Sequence, residues 1–213
     1  MDAIKGGGRS AIAGAALAIA GNAVVLAADP AVSDDRVSYP LSTHSFQLGQ
    51  VFFALTQALM AWGILALVGS EIAGSGRAAR VWSKLAVAGM LLTVLGELAL
   101  IPVAGSDADA AATSAATTVF GLGVLLADVG LIGFGVLALR LRQWWLGWAA
   151  LPLVLGLFQV LIVTPVSFAF GFASTESFLV IAVADLLVAL IGLGLLRNPV
   201  AEESRRFPHP QSA

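Results

Sequence analysis

The chain alternates between long apolar runs and short polar breaks, and that alternation predicts its elements. Apolar runs cover residues 11–28, 46–68, 82–104, 117–140, 145–166 and 177–197. Each is about twenty residues long, the length an α-helix needs to cross a hydrocarbon core. Prolines, glycines and charges fill the breaks: DPAVSDDRVSYPLST after the first run, Gly74 to Arg80 after the second, and Gly105 to Thr113 after the third. Neither the period-2 alternation of a half-buried strand nor a charged helix face interrupts the pattern. The prediction is an all-α, polytopic membrane protein, with six transmembrane helices in one bundle over residues 1–197. Residues 198–213, rich in Pro, Glu and Arg, read as a disordered cytoplasmic tail.

The first run admits a competing reading. A basic start with Lys5 and Arg9, an apolar stretch and small residues before Asp29 also describe a signal peptide. Against it, the run is long for that purpose. Gly14, Ala18 and Gly21 also make a small-residue ladder suited to close helix packing in lipid.

Composition agrees with the pattern. Hydrophobic residues make up 59% of the 213 and charged residues 11%, against about 25% charged in a soluble domain. A larger core cannot absorb that deficit, because a chain of this size must still cover its surface with polar groups. The bilayer is the solvent that fits. A net charge of −2 argues against nucleic acid. Cysteine is absent, which removes disulfides, thiol chemistry and iron–sulfur ligation.

Charge also sets an expected orientation. With both termini cytoplasmic, ten of the eleven lysines and arginines lie on the cytoplasmic side and only Arg36 lies outside, as the positive-inside rule requires. The expected location is a bacterial cell (inner) membrane.

The layout resembles a broad group of six-helix bacterial integral membrane proteins. A longer loop follows the first span. A short basic turn ahead of Leu146-Gly147-Trp148 joins the fourth and fifth. The last span carries one acid followed by an apolar run and a glycine, Asp185 and Gly192. The resemblance implies the six-helix fold and brings no activity, cofactor or site residue.

Candidate chemistry lies in the charges inside the runs. Residues 120–140 read FGLGVLLADVGLIGFGVLALR, and 178–197 read FLVIAVADLLVALIGLGLLR. Both hold an Ala-Asp pair, a glycine seven residues after the Asp (Gly135, Gly192) and an arginine five after that (Arg140, Arg197). The second span joins this echo weakly, with Gln57 near the position of Asp128, which hints at three helical hairpins in parallel repeat. A third acid is Glu97. By the helical rise, Glu97 is expected roughly 10 Å and Asp185 roughly 13 Å below the outer surface, with Asp128 near the midplane. All three acids can therefore meet in one layer. Each charged acid facing lipid costs about 2.5–3.5 kcal/mol, so each is expected to face the bundle interior, to carry its proton, or both.

No basic side chain lies at that depth. The remaining partners are protons, cations, water, and amide or hydroxyl groups: Gln50, Gln57, Thr93, Gln159 and Thr164. The candidate ligand-binding set is Gln50, Gln57, Thr93, Glu97, Asp128, Gln159 and Asp185. The bland alternative is that these groups only hold helices together, acid hydrogen-bonded to amide and hydroxyl. His44 reads as an edge residue, and Trp144, Trp145 and Trp148 read as interfacial anchors. No metal-ligand spacing, nucleophile elbow or phosphate loop occurs, so no metal or cofactor is expected.

Three functions remain open. The first is a bundle that binds or transports a small lipophilic or cationic ligand through an outward-facing pocket. The second is an intramembrane enzyme such as an acid-initiated isoprenoid (terpene) cyclase, with Glu97, Asp128 and Asp185 catalytic. In size class and acid placement the chain is similar to the small multi-span terpene cyclases of bacteria and fungi. The third is an accessory subunit that docks a membrane-protein partner or another copy of itself.

Overall fold

The computed structural model describes residues 2–197; the tail from 198 lies outside the described residues. The helices are α1 (Asp2–Leu26), α2 (Thr43–Gly69), α3 (Arg77–Leu100), α4 (Ala111–Leu141), α5 (Leu146–Phe158), α6 (Thr164–Phe170) and α7 (Thr175–Leu196). A π turn, Gln159–Val163, joins α5 to α6, so these make one span. The six spans are each long and apolar enough to cross a membrane. No strand forms among the described residues; Arg36 and Asp107 make one isolated antiparallel bridge.

The spans form a ring in chain order. α1 packs on α2, α2 on α3, α3 on α4, α4 on α5 and α5 on α7, and α7 closes back onto α1. α2 also touches α7 across the ring. Apart from the longer loop over residues 27–42, short connections leave antiparallel neighbours as the simplest outcome.

Hydrophobicity does not choose which face of these helices turns inward, since both faces are apolar. Size does. The buried residues of α1 are all glycine or alanine: Gly7, Gly8, Ala11, Gly14, Ala15 and Ala18. A Cβ added to Gly8 would lie 2.7 Å from the Gly192 carbonyl oxygen on α7, and one on Gly14 would lie 2.8 Å from the Thr56 carbonyl oxygen on α2. The α3–α4 pair is tighter still. Gly89 rests on the Ala127 backbone, Gly130 on Ala86, and Gly96 on Phe120. Many large residues face outward, with Leu55, Leu95, Leu125 and Leu186 each about half exposed or more, while Phe134, Ile64, Leu67 and Ile191 fill the centre. Lipid supplies no hydrophobic drive between helices, so close backbone approach through small residues supplies the packing energy instead.

Helix ends follow local chemistry. The Ser42 and Ser174 side chains accept the N–H groups of Ser45 and Ser177, capping α2 and α7. α3 stops at Leu100, short of the expected end at residue 104: Ile101 keeps helical backbone, but Pro102 has no N–H with which to continue the ladder. α1 begins at Asp2 rather than at residue 11, and its extra turns pack on α2 and α7. The π turn precedes Pro165. A proline there removes one N–H and crowds the carbonyl four residues back. The ladder shifts by one residue, and the Thr164 N–H donates to the Gln159 carbonyl.

One end of the ring is roofed by loops. The Val37 N–H donates to the Ser106 carbonyl (3.2 Å) and the Ala108 N–H to the Asp35 carbonyl (2.7 Å). The Arg36 guanidinium donates to the Gly105 carbonyl at 2.9 Å and pairs with Asp107 at 3.1 Å. We call this the loop-rich end. The opposite end carries Lys5, Arg77, Arg80, Arg140 and Arg142. There the three tryptophans divide. Trp145 is exposed, whereas Trp144 is buried and packs with Trp148 against Gly194 of α7. Only Trp145 fits the interfacial anchor read from the sequence.

Candidate functional site: a polar cavity inside the ring

A cavity of about 60 Å3 lies within the ring, lined from every span except α1. Its polar lining is Gln57 from α2, Thr93 from α3, Asp128 from α4, Gln159 from the π turn and Asp185 from α7. Met60, Met90, Leu131 and Leu155 supply much of the apolar wall. Five of the seven candidate ligand-binding residues thus surround one space. The three positions of the sequence echo, Gln57, Asp128 and Asp185, are among them.

Each is placed by local structure. Asp128 follows Ala127, which sits under Gly89, so the tight α3–α4 contact sets its height. Gly156 presses against the Asp128 carbonyl, where a Cβ would approach to 2.7 Å, so α5 fixes it from the other side. Asp185 follows the buried Ala184 on the inner face of α7. Gln159 opens the π turn, where the wider coil re-aims side chains.

The two aspartates are nearly enclosed, with 2% of Asp128 and 7% of Asp185 exposed. One carboxyl oxygen of each, Oδ2, is fully buried and has no hydrogen-bond partner. Buried polar atoms are hydrogen-bonded in the great majority of cases, so each such orphan requires an explanation. No basic side chain answers them: the ion pair found among the described residues is the exposed Arg36–Asp107 contact. Thr93 does not answer either, since its hydroxyl donates to the Gly89 carbonyl at 3.0 Å within its own helix.

Glu97 and Gln50 do not line the cavity. Both are buried, one layer nearer the loop-rich end. The early stop of α3 leaves Glu97 three residues from the helix end, about 4.5 Å along the axis. The structure thus brings Asp128 and Asp185 to one cavity and sets Glu97 outside it. Composition alone did not single out the methionines of the wall, and Thr164 is not part of the lining.

Chemically, the cavity offers two carboxylates, two amide oxygens and a hydroxyl. That is an all-oxygen donor set, the kind preferred by hard cations. No group of three or more His, Cys, Asp or Glu side chains suited to a metal ion forms among the described residues. The volume corresponds to about two waters' share of liquid. Compared with family models, curated proteins and solved structures, the chain matches none.

Proposed function

We propose that this integral membrane protein binds a small hard cation, in exchange for protons, at the cavity between Asp128 and Asp185. The observation that carries this reading is the pair of orphaned, buried carboxyl oxygens on one cavity with no basic group to meet them. A charge inside the membrane is retained where it marks an ion or proton pathway. The partner of two enclosed acids is then a cation, a proton or the two in alternation.

Magnitude separates this from the other readings. Sites for organic ligands run to about 300–1,000 Å3, and a cavity of about 60 Å3 is well short of that. The volume weighs against a lipophilic ligand and against isoprenoid cyclisation, which needs an enclosed space the size of its substrate. It suits a cation with a residual water. We place the loop-rich end outside and the basic end in the cytoplasm, following the charge distribution.

Thermal unfolding of the purified protein in detergent tests the proposal. Choline buffer is compared with buffers containing Na+, K+, Mg2+ or Ca2+. One of these cations stabilises the wild type by about 2.7 kcal/mol at a hundred times its dissociation constant. The shift disappears in Asp128→Asn and Asp185→Asn. A wild type indifferent to all four cations overturns the proposal.

A further inference from the structure

The cavity lies deep, and a cation needs a route to it. Helix spacing traces one. Glu97 is four residues beyond Thr93 on α3, so it stands on the same inner face, one turn nearer the loop-rich end. Gln50 is seven residues before Gln57 on α2, two turns nearer that end. A contact between the helices fixes their relative height: Gln47 Nε2 donates to the Ile101 carbonyl at 3.3 Å. One turn deeper from that contact is Gln50 on α2 and Glu97 on α3, since the two helices run antiparallel. Both side chains are more than nine-tenths buried, and Gln50 Oε1 has no hydrogen-bond partner.

We propose that Gln50 and Glu97 form an outer station through which the cation passes between the loop-rich end and the Asp128–Asp185 cavity. The inference rests on the cation-binding reading and adds its route. A buried amide oxygen without a partner, level with a buried acid, is a place where a passing cation exchanges hydration water for protein oxygen. Charged groups do not compete there. α2 carries no acid or base between His44, exposed at its start, and its end at Gly69; α4 carries none before Asp128. The roof over this end holds the buried Ser38, whose hydroxyl oxygen is likewise without a partner. Thr56, the other buried polar residue of α2 between Gln50 and Gln57, has its hydroxyl committed to the Phe53 carbonyl at 2.8 Å.

The absence of native cysteine makes the test clean. Single-cysteine variants Glu97→Cys and Gln50→Cys, in proteoliposomes of known orientation, are exposed to a membrane-impermeant cationic methanethiosulfonate. Leu95→Cys, on the lipid face, is the control. Thiols react as thiolates, which lipid suppresses. Both station variants react at least about tenfold faster than the control, from the loop-rich side only. In parallel, Glu97→Gln slows the approach to binding equilibrium by about tenfold and leaves affinity within about twofold, because a station on the route changes rates in and out together. A purely structural role would move the unfolding temperature instead.

The proposal is overturned if neither station variant outpaces Leu95→Cys, or if both react only from the basic end. Labelling does not require cation binding. Labelled stations in a protein that binds no cation leave the route standing and remove the cation reading. Cation binding with inert stations does the reverse.

Discussion

Asp128 and Asp185 reach the cavity from helices that do not pack on each other, each beside a buried alanine, Ala127 and Ala184. α4 is pinned at Ala127 by Gly89 and at the Asp128 carbonyl by Gly156. Asparagine is isosteric with aspartate and carries no charge, so it separates packing from chemistry. With no hydrogen bond reaching Asp128 Oδ2 or Asp185 Oδ2, neither Asn variant loses a protein contact. Chemical unfolding in mixed micelles is expected to find each as stable as the wild type in choline, or up to about 1–2 kcal/mol more stable, because a buried charge without a partner is removed. A loss of that size in both variants at every pH would make the acids packing elements. This layer was largely legible beforehand: a polar residue inside an apolar run stands out, and five of the seven chosen residues line the cavity. The separation of Glu97 from the other acids was not. It depends on the register of α3 against α4, where Gly89 meets Ala127 and Gly96 meets Phe120, and no hydropathy window shows that register.

Elements pack here by backbone approach, which makes the glycines of α3 and α4 sensitive positions. A Cβ on Gly123 would lie 2.5 Å from the Thr93 backbone nitrogen, and neither helix can yield locally. Gly123→Leu should destabilise by about 1–3 kcal/mol or more, as overpacking does. Gly121, with open space around it, should accept the same change with little effect, and the comparison is read by the detergent concentration at half-unfolding. The π turn makes a second prediction. Pro165→Ala restores an N–H and removes the crowding that shifts the ladder. The span should then return to regular α-helix, gain stability, and rotate Gln159 off the cavity. Cation affinity should fall by about tenfold, the worth of one oxygen contact. Unchanged affinity would show that Gln159 is only a wall residue. Small-residue ladders and prolines are visible in a sequence. Which partner each glycine meets is not, because alanine and glycine recur on several faces of every span, and a π turn has no hydropathy signature.

Across the whole molecule, the ring has a basic end and a roofed end, and its cavity is reached from several spans at once. Six spans and their approximate bounds follow from run length alone, since the bilayer imposes one dimension on all of them. Helix order does not follow from run length. Short loops make sequential neighbours adjacent, but the closure of α7 onto α1 through Gly8 and Gly192 joins the two ends of the chain. Orientation is a separate prediction from charge. With the roofed end outside, Ser33→Cys in its exposed loop should label in intact cells with an impermeant maleimide, and Gly76→Cys, beside Arg77 and Arg80, should label only after lysis. The opposite pattern inverts the topology and turns the cavity's route toward the cytoplasm. The roof itself should be modest in energy. Arg36→Ala removes an exposed ion pair worth about 0–1 kcal/mol, so the unfolding temperature should barely move, while labelling of Glu97→Cys beneath the roof should accelerate.

The account turns on whether the space between Asp128 and Asp185 takes up a cation. Calorimetric titration of the purified protein with the cation that stabilises it measures this most directly. The expected result is one site per chain, with protons released on binding, and no heat of binding in Asp128→Asn or Asp185→Asn while both remain folded. A wild type that gives no saturable heat with Na+, K+, Mg2+ or Ca2+, or binding undiminished in both variants, would contradict it.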